Sequence, residues 1–316
     1  MARGPLRTLG AAALAVGAVG AATLAYASLI ERKQFTLRRF TVPVLPAGAE
    51  PIRVLHISDL HMAAWQREKQ VWVSQLARLK PDLIVDTGDN LGHEDGLIGI
   101  RAALEPFRGV PGVYVWGSND YFGPRPRNPL KYFTGPSRLH HKPTELDLGA
   151  LKTYLDGLGF TDLNNSATAL EIKGTRFEFV GVDDPHRRFD DLDKATDAVA
   201  KLPTVERPAV VRVGVAHAPY QRVLNAFVDQ GARLIFAGHT HGGQVCVPVY
   251  GALVTNCDIP RKQVKGLSMW RHRLRSAYLH VSAGLGTSIY APVRFACRPE
   301  ATLLTLVPQG QASVRP

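Results

Sequence analysis

Cysteine is scarce in this chain. Cys246, Cys257 and Cys297 are the three in 316 residues, and none sits in a Cys-x-x-Cys pair. That excludes a disulfide framework. Acids are also outnumbered, with 27 Asp and Glu against 38 Lys and Arg, for a formal net charge of +11. A charge of that sign suits phosphates, nucleic acid or an anionic membrane face. No aromatic-basic motif of a nucleic-acid reader occurs, so a nucleic-acid partner is not expected. No internal repeat at a fixed period is visible, which argues against a solenoid. The 45% hydrophobic and 21% charged residues exclude a disordered tail, a collagen and a coiled coil. What remains is a chain with a sizeable core, in one large domain or two modest ones.

Charge is missing altogether from Leu9 to Ile30, 22 residues. As a helix this run is ~33 Å long, enough to cross a hydrocarbon layer of ~30 Å. It is rich in Ala and Gly, and therefore inserts less strongly than a Leu-rich span. Two readings fit. One is an uncleaved membrane anchor, and the other a secretory signal peptide with Ala25-Tyr26-Ala27 as its small-x-small cleavage site. The length, the polar Thr23 and the basic residues that follow favour the anchor. A buried core helix would show an amphipathic period, and none is present. Arg3 and Arg7 on one flank nearly balance Arg32, Lys33, Arg38 and Arg39 on the other, so the positive-inside rule does not choose a side.

After this segment, residues 34–50 predict a short strand and a linker. Residues 51–316 then predict one large domain. Short β-branched runs predict strands at Ile52–Ile57, Leu83–Asp86, Val113–Trp116, Arg176–Val182, Val210–Ala216, Leu234–Ala237 and Tyr278–Ser282. Helical patterns fall near Gln66–Leu79, Gly96–Phe107, Ala150–Leu158, Asp191–Leu202 and Tyr220–Gln230. Alternation of this kind indicates an α/β layered domain. Two segments break it. Residues 121–147 hold five Pro, five Lys or Arg and the pair His140-His141, which is long for an ordinary connection. Residues 261–275 hold six Lys or Arg around Leu267, Met269 and Trp270. They read as a solvated basic edge beside one packed Trp, with a membrane-surface element as the alternative.

Chemistry concentrates where strands end. Asp59-Leu60-His61 closes the first predicted strand, Gly88-Asp89 the second and Gly117-Ser118-Asn119-Asp120 the third. His217 closes a later strand, and Gly238-His239-Thr240-His241-Gly242-Gly243 the next. Ligands of open α/β sheets bind outside such carboxyl ends. Taken singly, an Asp-x-His is usually a cap or a core pair, a Gly-Asp is often a turn, and a lone His is more often core than ligand. Two His between glycines have little structural purpose, and five such clusters in order are hard to explain as five turns. The donors Asp59, His61, Asp89, Asn119, His217, His239 and His241 are all O or N, with no sulfur. That mix suits Zn, Mn or Fe. Seven donors exceed what one ion takes, whereas two ions sharing a carboxylate could use them.

At these residues the sequence resembles the calcineurin-like metallophosphoesterase superfamily, whose pattern runs D-x-H, G-D, G-N-H-[D/E], H, G-H-x-H. The flanking Ile57-Ser58, His241-Gly242-Gly243-Gln244, Gly284–Ser288 and Pro292-Val293-Arg294-Phe295 resemble its membrane-associated, YkuE-like and YaeI-like branch. The resemblance spans about residues 50–307. It implies an α/β fold built as a four-layer α-β-β-α sandwich, here behind an N-terminal transmembrane helix at 1–33. It also implies a two-metal site. Asp59, His61 and His241 would hold the first ion, Asn119, His217 and His239 the second, and Asp89 would bridge both. Two cations lower the pKa of a shared water and neutralise phosphoryl oxygens. The implied activity is hydrolysis of a phosphodiester or pyrophosphate bond, with a phosphate-ester substrate that is lipid-linked or, alternatively, soluble, such as a cyclic nucleotide.

One box departs from the pattern. With Asn119 taken as the ligand after an extra Ser118, Asp120 stands where the family has His, so Asn119 and Asp120 are the expected catalytic pair. A carboxylate near a phosphate repels it unless protonated or paired. His140, His141 or His186 could then supply a proton, the leaving group could be a good one, or Asp120 could orient a ligand His. A weakly active module that binds membrane headgroups is the remaining reading.

Overall fold

The computed structural model describes residues 5–125, 144–203 and 210–310. His140, His141 and most of the basic Pro-rich segment therefore lie outside the described residues. The strands are β1 Thr36–Leu45, β2 Ile52–Ile57, β3 Leu83–Asp86, β4 Gly112–Tyr114, β5 Phe160–Asp162, β6 Ser166–Ile172 and β7 Thr175–Gly181. They continue with β8 Val210–Val215, β9 Leu234–Ala237, β10 Cys246–Val247, β11 Gly251–Ala252, β12 Gly266–His272, β13 Arg275–Val281 and β14 Glu300–Pro308. The α-helices are α1 Pro5–Ala25, α2 Arg67–Gln75, α3 Gly96–Leu104, α4 Ser118–Tyr121, α5 Leu148–Leu158, α6 Leu192–Ala200 and α7 Gln221–Asp229.

Two six-stranded sheets organise the domain, with strand orders β1-β14-β2-β3-β4-β5 and β12-β13-β9-β8-β7-β6. In the first, β2 to β5 run parallel; in the second, β7, β8, β9 and β13 do. Strand periodicity sends alternate residues to opposite faces. Leu55 and Ile57 of β2 therefore pack with Val73, Ile100 and Leu155 of the helices. Val54, which precedes them and points to the opposite face, packs with Phe179, Val213 and Phe236 of the second sheet. On the far side, Ile235 and Leu279 meet Val223, Leu224 and Phe227 of α7. The contacts run helices, sheet, sheet, helices. Strands β2 to β5 and β7, β8, β9 and β13 thus release their carboxyl ends at one edge of the sandwich, while β1 and β14, parallel to each other, run the opposite way.

Residues 34–50 differ from the expected short strand and linker. They supply the ten-residue β1, paired in parallel with β14 from Thr36 to Leu45. Its alternation is weak because an edge strand is half exposed, and an edge also tolerates Pro43. β5, β6, β12 and β14 lie outside the predicted strands, and β13 begins three residues before the predicted Tyr278. Residues 261–275 take the edge reading. Gly266–His272 is the outer strand β12, where Trp270 is buried and its Nε1–H donates to Asn225 Oδ1 at 2.9 Å. Outward charges on such an edge discourage further strand pairing.

From Ala12 onward, helix α1 does not pack on the described part of the domain. Leu14, Val16, Val19 and Leu24 are all exposed. The run Ala12–Lys33 is 22 residues long, with a mean hydropathy of 1.8 over its most apolar 18-residue stretch, long and apolar enough to cross a membrane. At its end the chain docks. Ala27 is buried and its carbonyl accepts from Arg294 N, while Glu31 accepts from Ala296 N at 3.1 Å and Cys297 N at 2.7 Å.

Candidate metal centre

The loops after β2 and β3 extend the ladder past the strand ends. Asp59 N donates to Gly88 O at 2.8 Å, His61 N to Asp89 O at 2.9 Å and Met62 N to Asn90 O at 2.8 Å. This zipper fixes Asp59, His61 and Asp89 relative to one another. All three have a left-handed backbone, as do His239 and His241, with φ between 40° and 68°. Non-glycine residues enter that region at a cost of order 1–3 kcal/mol each, so the surrounding hydrogen bonds must hold them. His239 N donates to both Asp59 oxygens, at 3.0 and 3.2 Å. The buried Lys69 ammonium donates to the carbonyls of Leu60 and His61.

The seven predicted donors meet in one place. Ligand atoms of Asp59, His61, Asp89 and His241 lie within 4.8 Å of one another. His61 Nε2 is 3.2 Å from His241 Nε2, and His241 Nε2 is 3.5 Å from Asp59 Oδ1. Beside them, His217 Nε2 is 3.3 Å from His239 Nδ1. Asp89 lies between the two groups: Oδ2 is 3.4 Å from His61 Nε2 and Oδ1 is 3.5 Å from His217 Nε2. Asn119 closes over Asp89, its amide Nδ2 donating to Oδ2 at 2.7 Å and its backbone N to Oδ1 at 2.8 Å. Close approach requires two glycines. A Cβ on Gly117 would meet Asp89 Oδ1 at 2.2 Å, and one on Gly238 would meet Ser58 Oγ at 1.9 Å.

The electrostatics suit cations. Burial holds His61 down to about 4, and holds His239 and His241 well below the usual imidazole range. These rings are neutral near pH 7 and keep a nitrogen lone pair. Burial raises Asp59 to about 6, offset in part by His217. Burial opposes ionisation of Asp89 too, but His217, His61 and the Asn119 donors hold it well below the carboxylate range. Burial would also lower His217; Asp89, Asp59 and Asp184 outweigh it and raise the ring to about 9 in the metal-free protein. His217 Nδ1 is 2.7 Å from Thr87 O, which turns Nε2 toward Asp89. Buried imidazoles whose lone pairs converge on carboxylate oxygens, with no sulfur, fit divalent cations of the Zn, Mn or Fe type.

The structure corrects the expectation for Asp120 as a group near substrate. Asp120 is fully buried. Its Oδ2 accepts from Asp89 N at 2.8 Å and Gly117 N at 2.9 Å. Its Oδ1 accepts from Asn90 N at 2.7 Å and Leu91 N at 3.3 Å. Burial and nearby Asp89 push its pKa up, while the N–H groups oppose them. Every oxygen already faces two donors, so a carboxyl proton would find no acceptor. Read without an insertion, Gly117-Ser118-Asn119-Asp120 fills the four places of the box, with Asp120 at its acidic fourth. Ser118 Oγ bonds Asp184 rather than the cluster, and Asn119 carries the amide to Asp89.

Of the neighbours of the cluster, His186 was expected from the sequence. His56 is a core residue, its Nε2 3.0 Å from Thr87 Oγ1, and Asp86 braces the turn by accepting from Gly88 N at 2.9 Å. His186 reaches the cluster. Its ring centroid is 4.6 Å from that of His239, and its Nδ1 is 3.0 Å from Tyr220 Oη. Arg294, among the flanking residues of the resemblance, has a role the sequence did not disclose. It is fully buried and donates to the carbonyls of Ala283 at 2.8 Å and Gly286 at 2.7 Å, with Nη2 3.3 Å from His241 Nδ1. Asn256, likewise unforeseen, places its carbonyl 3.2 Å from His239 Nε2.

The sequence profile described as calcineurin-like phosphoesterase matches residues 52–243, which contain all seven donors. The chain belongs to that family. It is a metallophosphoesterase, a hydrolase acting on phosphoesters. The uncharacterized metallophosphoesterase YkuE of Bacillus subtilis (strain 168) is 25% identical over 317 residues, covering 96% of this chain and 95% of YkuE. Phosphodiesterase YaeI of Escherichia coli (strain K12) is 26% identical over 287 residues, covering 89% and 92%. The uncharacterized protein YpbG of Bacillus subtilis (strain 168) is 24% identical, covering 93% and 98%. These matches support the YkuE/YaeI-like branch.

Proposed function

We propose that this metallophosphoesterase is a membrane-anchored, two-metal hydrolase of a phosphodiester or pyrophosphate bond, acting on a substrate presented at the membrane. One observation carries the reading: the two Asp89 oxygens face two separate imidazole groups, His61 at 3.4 Å and His217 at 3.5 Å. Asp59, His61 and His241 would hold one ion, His217, His239 and Asn119 the other, and Asp89 both. Such a pair acidifies a shared water and neutralises phosphoryl oxygens, which makes in-line attack on phosphorus feasible near neutral pH.

The chain's own residues do the rest. Asp120 holds the Asp89 loop through its N–H groups. Thr87 O and Arg294 fix the orientation of His217 and His241, as hydrogen bonds to the second imidazole nitrogen commonly do. His186, with Nδ1 engaged by Tyr220 and its ring 4.6 Å from that of His239, is the histidine beside the cluster that would supply a leaving-group proton. The apolar helix supports the membrane part of the reading, and its end docks on Ala296 and Cys297. YaeI, named a phosphodiesterase, supports the bond type.

The test is elemental analysis of the purified chain together with hydrolysis of bis-p-nitrophenyl phosphate in Mn²⁺. Two metals per chain are expected, and Asp89→Ala should lose both metal and turnover. Equal turnover by Asp89→Ala would sink the assignment. A panel of lipid pyrophosphates against free nucleotides then separates a lipid-linked substrate from a soluble one.

A further inference from the structure

Away from the metal cluster, a cavity of about 350 Å³ opens where the apolar helix meets the domain, lined by Tyr26, Glu31, Arg38, Lys265, Ala296 and Arg298. We propose that this cavity binds the phosphate of an anionic phospholipid headgroup. The inference rests on reading the N-terminal helix as membrane-spanning, and otherwise goes beyond the proposed activity.

Position is the first argument. The spanning segment is apolar from Ala12 and ends in Glu31-Arg32-Lys33. Tyr26 and Glu31 line the cavity, so it lies at the level where a bilayer would give way to headgroups. Tyrosine is enriched at that depth. A second element reaches the same level. Val245 pairs with Phe295, whose ring meets that of Tyr26 edge-on at 6.5 Å. From Val245 the β10–β11 hairpin projects with Val247, Val249, Tyr250 and Leu253 exposed. An exposed apolar hairpin rooted beside the helix end is what an interfacial contact requires.

Charge is the second argument. Three cations line the cavity against one carboxylate. That carboxylate, Glu31, is buried and already accepts from Ala296 N and Cys297 N. Arg38 is shared with Glu300 at 3.2 Å. Among the described residues, the only bond of the Lys265 ammonium is the 3.5 Å contact to Cys297 Sγ. Arg298 is exposed and, among the described residues, has no hydrogen bond or ion pair. Two under-used cations in a concave wall suit an anion. A size of this order suits a small ligand. The wall also adjoins the metal cluster, since Cys297 Sγ lies 3.3 Å from His241 O. A headgroup bound there would hold the cluster against the membrane surface.

The experiment uses the full chain in detergent micelles, titrated with phosphatidylglycerol or phosphatidylcholine and read by native mass spectrometry. Phosphatidylglycerol should remain bound at energies that strip phosphatidylcholine. Each cation removed should weaken binding about five-fold, so Lys265→Ala with Arg298→Ala should weaken it about 25-fold. Arg298→Gln, an exposed single change, covers the case in which the double variant misfolds. Equal retention of both lipids, or unchanged phosphatidylglycerol binding in these variants, would overturn the proposal. So would displacement of the lipid by an equal concentration of glycerol 3-phosphate, which would assign the cavity to a free phosphate. Carbonate extraction of membranes is scored separately. If the wild-type chain is extracted, the anchoring reading fails and this proposal with it; if the chain is retained, a negative lipid result counts against the cavity alone.

Discussion

Replacing Asp120 by Asn separates two roles for this residue, a group that meets substrate and a brace for the Asp89 loop. Each oxygen accepts two backbone N–H groups, from Asp89 and Gly117 on one side and Asn90 and Leu91 on the other. Asn must turn an NH₂ group, a donor, toward one of these pairs of donors. Two hydrogen bonds to a charged acceptor are lost, each worth about 1.5–3 kcal/mol. The loop can shift and admit water, so the low end of the sum, ~3 kcal/mol, is expected. For a domain of this size that lowers Tm by roughly 6–12 °C. The loop carries Asp89, so metal content should fall with stability. The assay is thermal unfolding with and without EDTA, alongside elemental analysis and turnover of bis-p-nitrophenyl phosphate. A variant that melts within about 1 °C of the wild type, keeps its metals and yet loses turnover would refute the bracing role.

Other perturbations reach the cluster from different sides. Gly117→Ala puts a methyl 2.2 Å from Asp89 Oδ1 and 2.7 Å from His217 Cε1; metal stoichiometry by elemental analysis should drop while the far-UV spectrum is retained. Arg294→Met removes the donor that serves His241 and the carbonyls of Ala283 and Gly286. A loss of about 3 kcal/mol in urea unfolding and about 10–100-fold in metal affinity is expected. The metal-free His217 ring, raised to about 9, must lose its proton to coordinate. Metal affinity by calorimetry should therefore rise with pH up to about 9, with proton release that depends on buffer ionisation enthalpy. For the metal-free fold the sign reverses. A raised His pKa stabilises fully below the unfolded value of about 6.5 and loses that contribution as pH rises through about 9, which chemical denaturation in EDTA at pH 6 and 9 would read.

The site was legible because metal chemistry restricts residue types and an α/β sheet restricts where they fall. Asp59-x-His61, Gly88-Asp89, His217 and Gly238-His239-x-His241 each sit a few residues past a β-branched run; β2, β3 and β9 end at the expected residues and β8 one residue earlier. Asp120 was misread because its partners lie in another loop. Its Asp89 and Asn90 contacts span about thirty residues, and no local pattern distinguishes an acid that caps N–H groups from one that faces a phosphate.

By itself, then, the sequence determined the apolar helix, the α/β class and the order of the polar clusters at the strand ends, because each is a matter of composition or period along a short stretch. Only the tertiary structure decided what joins them. β1 pairs with β14 across most of the chain. Glu31 at the helix end reaches Cys297, 266 residues away. Arg294 reaches His241 and ties that end to the metal cluster. These contacts depend on burying charges against backbone groups from distant segments, and a hydrogen bond between distant segments leaves no periodicity in either one.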